Sequence, residues 1–599
     1  MSITMTPTSN SRIFRHLLPH FKAQRRLFVL GILALLATNL VQQCIPLLLK
    51  YAIDGLQSKA AITVVLLWAG LRFGAVAAQG VLRYGWRMGF FGMGRHVEYG
   101  MRRQLFDKLM SLPLAYYLRN KTGDLLSRAM SDLATVRESL GFGWLTTFDS
   151  ISTIALTIVF MRHLDPGLTF WCLLPLSVLP VLVATLGRKV RQGTREAQAA
   201  LDDLSQAATE SFRGARVIQA YAREPEENGR FSAVSRAYRD KNMAIVRLEA
   251  LYWPLLSVIS GVAKLMLIYM GGTKVALAMR GDALNGMTLG SFVAMYEYLL
   301  QIIWPVLALG FSTNIFVRGK VSVERLNEVY DAESEIVDGP GTAAVIHGAP
   351  VLTLRDIGFV YPASQVRVLD GLNLSLKKGE WLGLAGRTGS GKSTLLRLPA
   401  RLIDPSQGQV EIEGLDVREW RLEKLRAYSS LVTQEPFLFS ESILDNIAFG
   451  AEHPDLEMVK RCARVADLAD FVESLPQAYG SMLGEKGVNL SGGQKQRLAL
   501  ARSLYMRPRL LLLDDAFSAV DTGTEERIVA GLREALPETA VLLVSHRVST
   551  LGLCDRVLVL DQGRITEEGI HSELMQKEGF YFGMARRESL ARQAGLALE

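Results

Sequence analysis

Apolar residues run almost unbroken through six stretches of the first half of the chain, at about 27–49, 61–81, 144–161, 168–186, 251–278 and 289–316. Each predicts a helix of roughly 20 residues, the length that crosses a hydrocarbon core of about 30 Å, with the third the shortest. The connections alternate. Short loops join the first stretch to the second, the third to the fourth and the fifth to the sixth, whereas residues 82–143 and 187–250 form long polar connections. Within these, apolar residues recur at helical spacing over 101–110 and 201–222, so the membrane helices are expected to run on beyond the bilayer as hairpins. After Tyr330 the pattern breaks into a polar stretch with Gly and Pro, 331–350, which reads as a linker. Beyond it short apolar runs alternate with helical patterns: WLGLA at 381–385, SSLVT at 429–433, RLLLLD at 509–514, AVLLVS at 540–545 and RVLVL at 556–560. That alternation predicts an α/β domain over 351–599, behind an all-α domain of six membrane helices over 1–330.

Composition sharpens this division. A chain of 599 residues exceeds what one core can bury, and an apolar content of 49% is high for a soluble protein. The formal charge of +8 raises the question of nucleic acid, and its distribution answers it. Arg12, Arg15, Lys22, Arg25 and Arg26 precede the first apolar stretch, and both long connections are rich in Arg and Lys, while the short loops hold almost none. The positive-inside rule therefore places both termini and both long connections in the cytoplasm of a multi-pass protein in the cytoplasmic membrane. The charge excess is topological, and no nucleic-acid partner is expected. Cys44, Cys172, Cys462 and Cys554 lie far apart and form neither a disulfide framework nor a metal pattern. The first apolar stretch is too long for a signal-peptide core and is expected to be retained.

Charged residues inside the spans mark candidate cavity positions. They are Arg72, Asp149, Lys264 and Glu297, with Tyr296, Tyr298 and Trp304 nearby on the last span. Two readings stay open for them: a lining for amphipathic cargo, or ion pairs and plain helix packing.

The chemistry lies in the second half. Directly after the strand at 381–385 comes GRTGSGKST, Gly386 to Thr394, opening a helix. In this spacing Gly386, Gly389 and Gly391 let the backbone N–H groups of Thr388 and Ser390 curl around phosphates. Lys392 supplies a cation, Ser393 a hydroxyl for Mg²⁺, and Thr394 continues the helix. A phosphate loop needs a carboxylate strand to hold that metal. Asp514, ending the run Leu510 to Leu513, fits the part, and Asp515 follows where a water-activating base would sit. Between the two motifs lies LSGGQ, Leu490 to Gln494, heading another helical run.

These motifs together resemble an ATP-binding cassette half-transporter of the exporter type, in which one six-helix membrane domain is fused to one α/β phosphate-loop domain with a helical subdomain. The resemblance implies ATP and Mg²⁺ as cofactors and assigns further parts. Tyr361 resembles the aromatic on which adenine stacks, Gln434 the residue linking metal and attacking water to the membrane domain, and His546 the histidine at the γ-phosphate. Ser491, Gly492, Gly493 and Gln494 resemble the signature that meets the nucleotide of the other subunit, and Asp521 the loop that communicates across the dimer. TGDLLSRAMSD, with Thr122, Gly123 and Asp124, and FRGARVIQAYAREPEE, with Tyr221, Ala222 and Arg223, resemble the two coupling segments. GEKG at 484–487 resembles the loop before the signature.

One residue departs from the family pattern. Glutamate usually follows the metal aspartate, and here Asp515 is one methylene shorter, which draws its carboxylate back by about 1 Å and can slow the chemistry by on the order of a hundredfold. A weakened base beside an intact signature is what one half of an asymmetric pair looks like. The expected partner is a second half-transporter with its own glutamate, and the expected function is ATP-driven efflux of amphipathic small molecules or lipids. A homodimer in which Asp515 suffices, and an ATP-gated channel or regulatory subunit, remain as alternatives. An importer is disfavoured because importers of this family usually keep membrane and ATPase parts on separate chains and need a binding protein, and an exporter of processed peptides is less favoured because no peptidase-like extension precedes the first span.

Overall fold

The computed structural model describes residues 13–593 except 283–285, 342–345, 347, 362–363, 365, 485–486 and 488. Part of the expected linker and Glu485 and Lys486 of the GEKG stretch therefore lie outside the described residues. The chain divides into two units, one formed by Met1–Ser111 and Lys121–Ala332 and the other by Leu112–Asn120 and Glu333–Glu599.

The first unit is helical. Among the described residues, six helices long and apolar enough to cross a membrane span Arg25–Gln57 (α1), Ile62–Ser111 (α2), Thr122–Leu164 (α4), Pro166–Arg213 (α5), Glu224–Met279 (α6) and Leu289–Tyr330 (α7), and a short helix Leu114–Arg119 (α3), which belongs to the second unit, interrupts the series along the sequence. The apolar runs give the existence of these helices but not their length. Helix α2 has 50 residues, about 75 Å at the α-helical rise and more than twice a hydrocarbon core. It continues past residue 81 because Phe90, Met93, Val97, Met101 and Leu105 keep a buried stripe at helical spacing. Helix α5 starts where its sequence dictates. The Asp165 side chain accepts from the N–H of Leu168 at 2.9 Å, Pro166 occupies the first turn, and Lys274 of α6 pairs with the same carboxylate.

Several polar groups inside the spans are paired. Arg72 of α2 donates to Glu297 of α7 at 2.7 Å, and Asn39 of α1 donates to Asp149 at 3.0 Å and to Ser152 at 2.7 Å. Tyr298 is fully buried and donates to the carbonyl of Gln43 at 2.5 Å, whereas Trp304 is exposed.

The second unit is built on two sheets. A four-stranded sheet orders Arg367–Leu376 (β2), Leu352–Val360 (β1), Gln407–Ile412 (β4) and Leu415–Asp416 (β5), all antiparallel. A six-stranded sheet orders Arg564–Gly569 (β10), Arg556–Asp561 (β9), Trp381–Gly386 (β3), Ala540–Val544 (β8), Leu510–Asp514 (β7) and Ser429–Val432 (β6). All its pairings are parallel except β10 with β9. The run of leucines on β7 now has its reason. Leu510 and Leu512 enter one core and Leu511 and Leu513 the other, so alternate side chains fill the two faces of a sheet covered on both sides.

Candidate functional site

Strands β3, β8 and β7 lie side by side, with Leu384 in register with Val544 and Val544 with Asp514. Their carboxyl ends therefore deliver three loops to one edge of the sheet, where ligands of parallel sheets bind. The loop after β3 is the glycine-rich one, that after β7 begins at Asp515, and that after β8 carries His546. Tyr361, Thr388, Gly389, Gly391, Lys392, Ser393, Thr394, Gln434, Asp514, Asp515 and His546 line a single cleft there, of about 380 Å³. Gly386 and Ser390 complete the glycine-rich loop.

The loop folds as its glycines require. Gly391 has φ of +106°, and a Cβ there would come within 2.9 Å of the carbonyl of Val368. Gly391 leads into a short helix, Lys392–Arg397 (α8), whose first residues line the cleft. Lys392 is buried, and its ammonium donates to the carbonyls of Gly386 at 2.8 Å and Arg387 at 2.9 Å. Burial pulls its pKa down, opposed by the charges of Asp515 and Asp514. The Ser390 hydroxyl is buried with no hydrogen-bond partner among the described residues, an open polar group of the kind a phosphate oxygen satisfies. Tyr361 is held by its hydroxyl, 3.0 Å from Thr394 Oγ1 and accepting from Arg397 at 3.1 Å, and its ring stands edge-on to Phe359.

Ser393 Oγ donates to Asp514 Oδ1 at 3.0 Å. This hydroxyl and carboxylate, with the Gln434 amide on the same cleft, form the oxygen donor set that suits Mg²⁺. Burial raises the pKa of Asp514 and of Asp515, and for Asp515 the neighbouring His546 and Arg547 oppose the rise. Asp515 adopts φ of +50°, a left-handed conformation that short Asp accepts more readily than most residues. Its N–H donates to the carbonyl of Val544 at 3.1 Å, and its carboxylate accepts from the backbone N–H of His546.

The signature is placed elsewhere. Ser491 caps the helix Gly492–Tyr505 (α9) in a reciprocal capping box: its hydroxyl accepts from the Gln494 N–H at 3.3 Å and its own N–H donates to Gln494 Oε1 at 2.9 Å. Ser491 and Gly492 are exposed and line no part of the cleft described above. Asp521 caps the helix Thr522–Ala535 (α10), accepting from the Thr524 N–H at 2.9 Å, and that bond lowers its pKa. Thr122, Gly123 and Asp124 begin α4 in the helical unit, where Asp124 pairs with Arg128 and Arg325. Tyr221, Ala222 and Arg223 form a turn before α6, with Ala222 at φ +51° and Tyr221 74% exposed.

Sequence reasoning missed three residues that join these loops. Gln496 is buried on α9 and donates to Ser518 Oγ at 2.8 Å while accepting from the N–H of Ala519 at 3.0 Å. Arg547 donates to the carbonyls of Val520 at 2.7 Å and Ser518 at 3.1 Å and pairs with buried Glu525 at 3.0 Å. The loop 516–521 is thus fixed by the signature helix on one side and by the neighbour of His546 on the other. For Arg547 the only available signal was adjacency to His546. Gln496 and Glu525 carried none, since their partners lie more than twenty residues away.

Fold and site together define a membrane-spanning phosphate-loop ATPase. Residues 28–306 match the ABC transporter transmembrane region and residues 369–518 the ABC transporter domain. Over 574 residues the chain is 33% identical to the probable multidrug resistance ABC transporter ATP-binding/permease protein YheI of Bacillus subtilis, covering 95% of this chain and 96% of that relative. It is 32% identical over 588 residues to the ATP-dependent lipid A-core flippase of Pseudomonas aeruginosa, covering 96% of each. A solved bacterial Atm1-family ABC exporter with ATP bound matches with a TM-score of 0.77 at 26% identity, covering 94% of this chain and 99% of that one. The chain belongs to the ABC transporter family, as a multi-pass exporter half-transporter in which ATP hydrolysis is coupled to transport.

Proposed function

We propose that this chain is the slow-site subunit of a heterodimeric exporter that moves amphipathic small molecules or lipids out across the cytoplasmic membrane by alternating access. The observation that carries the reading is Asp515: a short carboxylate stands where the family places glutamate, beside an intact and exposed signature at Ser491 and Gly492. The chain's own cleft holds ATP, with Lys392 on the phosphates, Tyr361 under the base, His546 at the γ-phosphate, and Ser393, Asp514 and Gln434 around Mg²⁺. Its signature completes the site of a partner bearing glutamate. Closure of the two ATP sandwiches is transmitted to the helices through the Thr122–Asp124 and Tyr221–Arg223 segments, and the exposed Phe212, Val217 and Tyr221 give the second of these an apolar tip. The names of the relatives, a multidrug transporter and a lipid flippase, support the cargo class, and the arginine-rich connections support cytoplasmic termini.

The test is ATPase activity of the purified chain alone and with a half-transporter that has glutamate at the corresponding position. The proposal expects slow turnover alone, acceleration by the partner, and a rise in the isolated chain on Asp515→Glu. Brisk turnover of the isolated homodimer that disappears in Asp515→Asn would overturn the heterodimer. Nucleotide-gated flux running only downhill would point to a channel.

A further inference from the structure

We infer that the C-terminal helix, Phe580–Gln593 (α11), braces the ATP site and that Glu588 is a positioning residue for His546. The inference rests on the reading of His546 as the γ-phosphate contact. Glu588 is only 8% exposed, and a buried carboxylate has to be satisfied by donors. It accepts from the backbone N–H of Val548 at 2.6 Å and from the hydroxyl of Ser549 at 2.9 Å. Those donors stand two and three residues after His546, at the start of the single helical turn Val548–Leu551.

The remaining contacts close the brace. At the other end of α11, the guanidinium of Arg387 lies over the ring of Phe580 at 5.7 Å, and Arg387 belongs to the glycine-rich loop. Its carbonyl is one of the two that hold Lys392. Between the two contacts, Tyr581 is fully buried and its hydroxyl lies 2.8 Å from His571 Nδ1. From Phe580 to Glu588 is about 12 Å along a helix, so one rigid element touches both the phosphate loop and the histidine segment. Arg547, bonded to Glu525 and to the carbonyls of Ser518 and Val520, ties the same segment to a second loop. His546 itself is exposed toward the cleft, so its aim is set by residues 547–549 and through them by Glu588.

The test is steady-state ATP hydrolysis by the assembled transporter in lipid vesicles, in the wild-type and Asp515→Glu backgrounds, the latter for measurable turnover. Glu588→Ala is expected to lower kcat about tenfold while the KM for ATP stays within about twofold, the pattern of a displaced catalytic group. Glu588→Gln, which keeps an acceptor for the Val548 N–H, should recover kcat to within about threefold of the parent. Adding Glu588→Ala to His546→Ala should lower kcat no further. An unchanged kcat in Glu588→Ala, a change confined to KM and melting temperature, or full additivity with His546→Ala would each overturn the brace. Should Glu588→Ala fail to assemble, Glu588→Asp, whose shorter side chain draws the acceptor back from the Val548 N–H, decides: a kcat below that of Glu588→Gln at constant KM supports the inference and a kcat equal to the parent refutes it. If His546→Ala alone leaves turnover intact, the role given to His546 falls first and the brace with it.

Discussion

Ser393 and Asp514 lie 121 residues apart in sequence and 3.0 Å apart in space, a hydroxyl of the phosphate loop donating to the carboxylate that ends β7. Their contact ties the helix that opens with Lys392 to the end of β7, and Lys392 lines the same cleft. Charge-assisted hydrogen bonds contribute about 1.5–3 kcal/mol, and every 1.4 kcal/mol is a factor of ten. Lys392→Ala is therefore expected to weaken binding of a fluorescent ATP analogue by about 10- to 100-fold. The helical unit should melt as before.

If Asp515 is the base proposed above, function and stability pull in opposite directions at this residue. Burial raises its pKa, so the folded state holds the proton more tightly than the unfolded chain does. Its contribution to stability is therefore fullest below the unfolded carboxylate pKa and is lost as pH rises through the folded value. Asp515→Asn removes a charge that the fold disfavours. Thermal melts of the nucleotide-free transporter should show the variant above the parent at about pH 8, with the gap closing as pH falls and the parent's carboxyl takes up its proton.

Arg547 guards a buried charge. Glu525 is 2% exposed, and Arg547 is its salt-bridge partner at 3.0 Å, with Thr550 donating to the other oxygen. Removing one member of a buried pair typically costs about 3–5 kcal/mol. Arg547→Met should lower denaturation midpoints accordingly, and the double substitution Arg547→Met with Glu525→Gln should recover most of the loss.

The Arg72 and Glu297 pair, closed at 2.7 Å between α2 and α7, invites a double-mutant cycle. A lone charge within a span costs about 2.5–3.5 kcal/mol on insertion scales. Arg72→Leu and Glu297→Leu should each destabilise the transporter, and the double variant should be nearer the parent than either. Additive losses would show that the two side chains act separately and not as a pair.

The sequence disclosed what is local. Gly386 to Thr394 form one contiguous loop whose spacing encodes its geometry, and the runs 510–514 and 540–544 announce strands by their length and by the polar residues that end them. Six apolar stretches likewise announced the membrane helices. Their continuation past the bilayer was legible in the helical spacing over 101–110 and 201–222, but the residues at which they end were not. Helix α2 continues to Ser111 on a narrow stripe of Phe90, Met93 and Val97 set among arginines, a weaker signal than hydropathy. Nor was the bracing of the site legible. Gln496, Glu525 and Glu588 are polar residues whose partners come from other segments, and nothing in their immediate neighbours distinguishes them from solvated ones.

The grouping of Leu112–Asn120 with the nucleotide unit bears on how the protein is made. Pro113, Ala115 and Leu118 meet Phe359, Tyr361 and Leu402 around one apolar hollow. The ribosome releases this short segment long before the strand it settles on exists. A fragment begun at residue 333 would leave that hollow uncovered, so the soluble half, expressed by itself, should be sticky until the missing peptide is supplied.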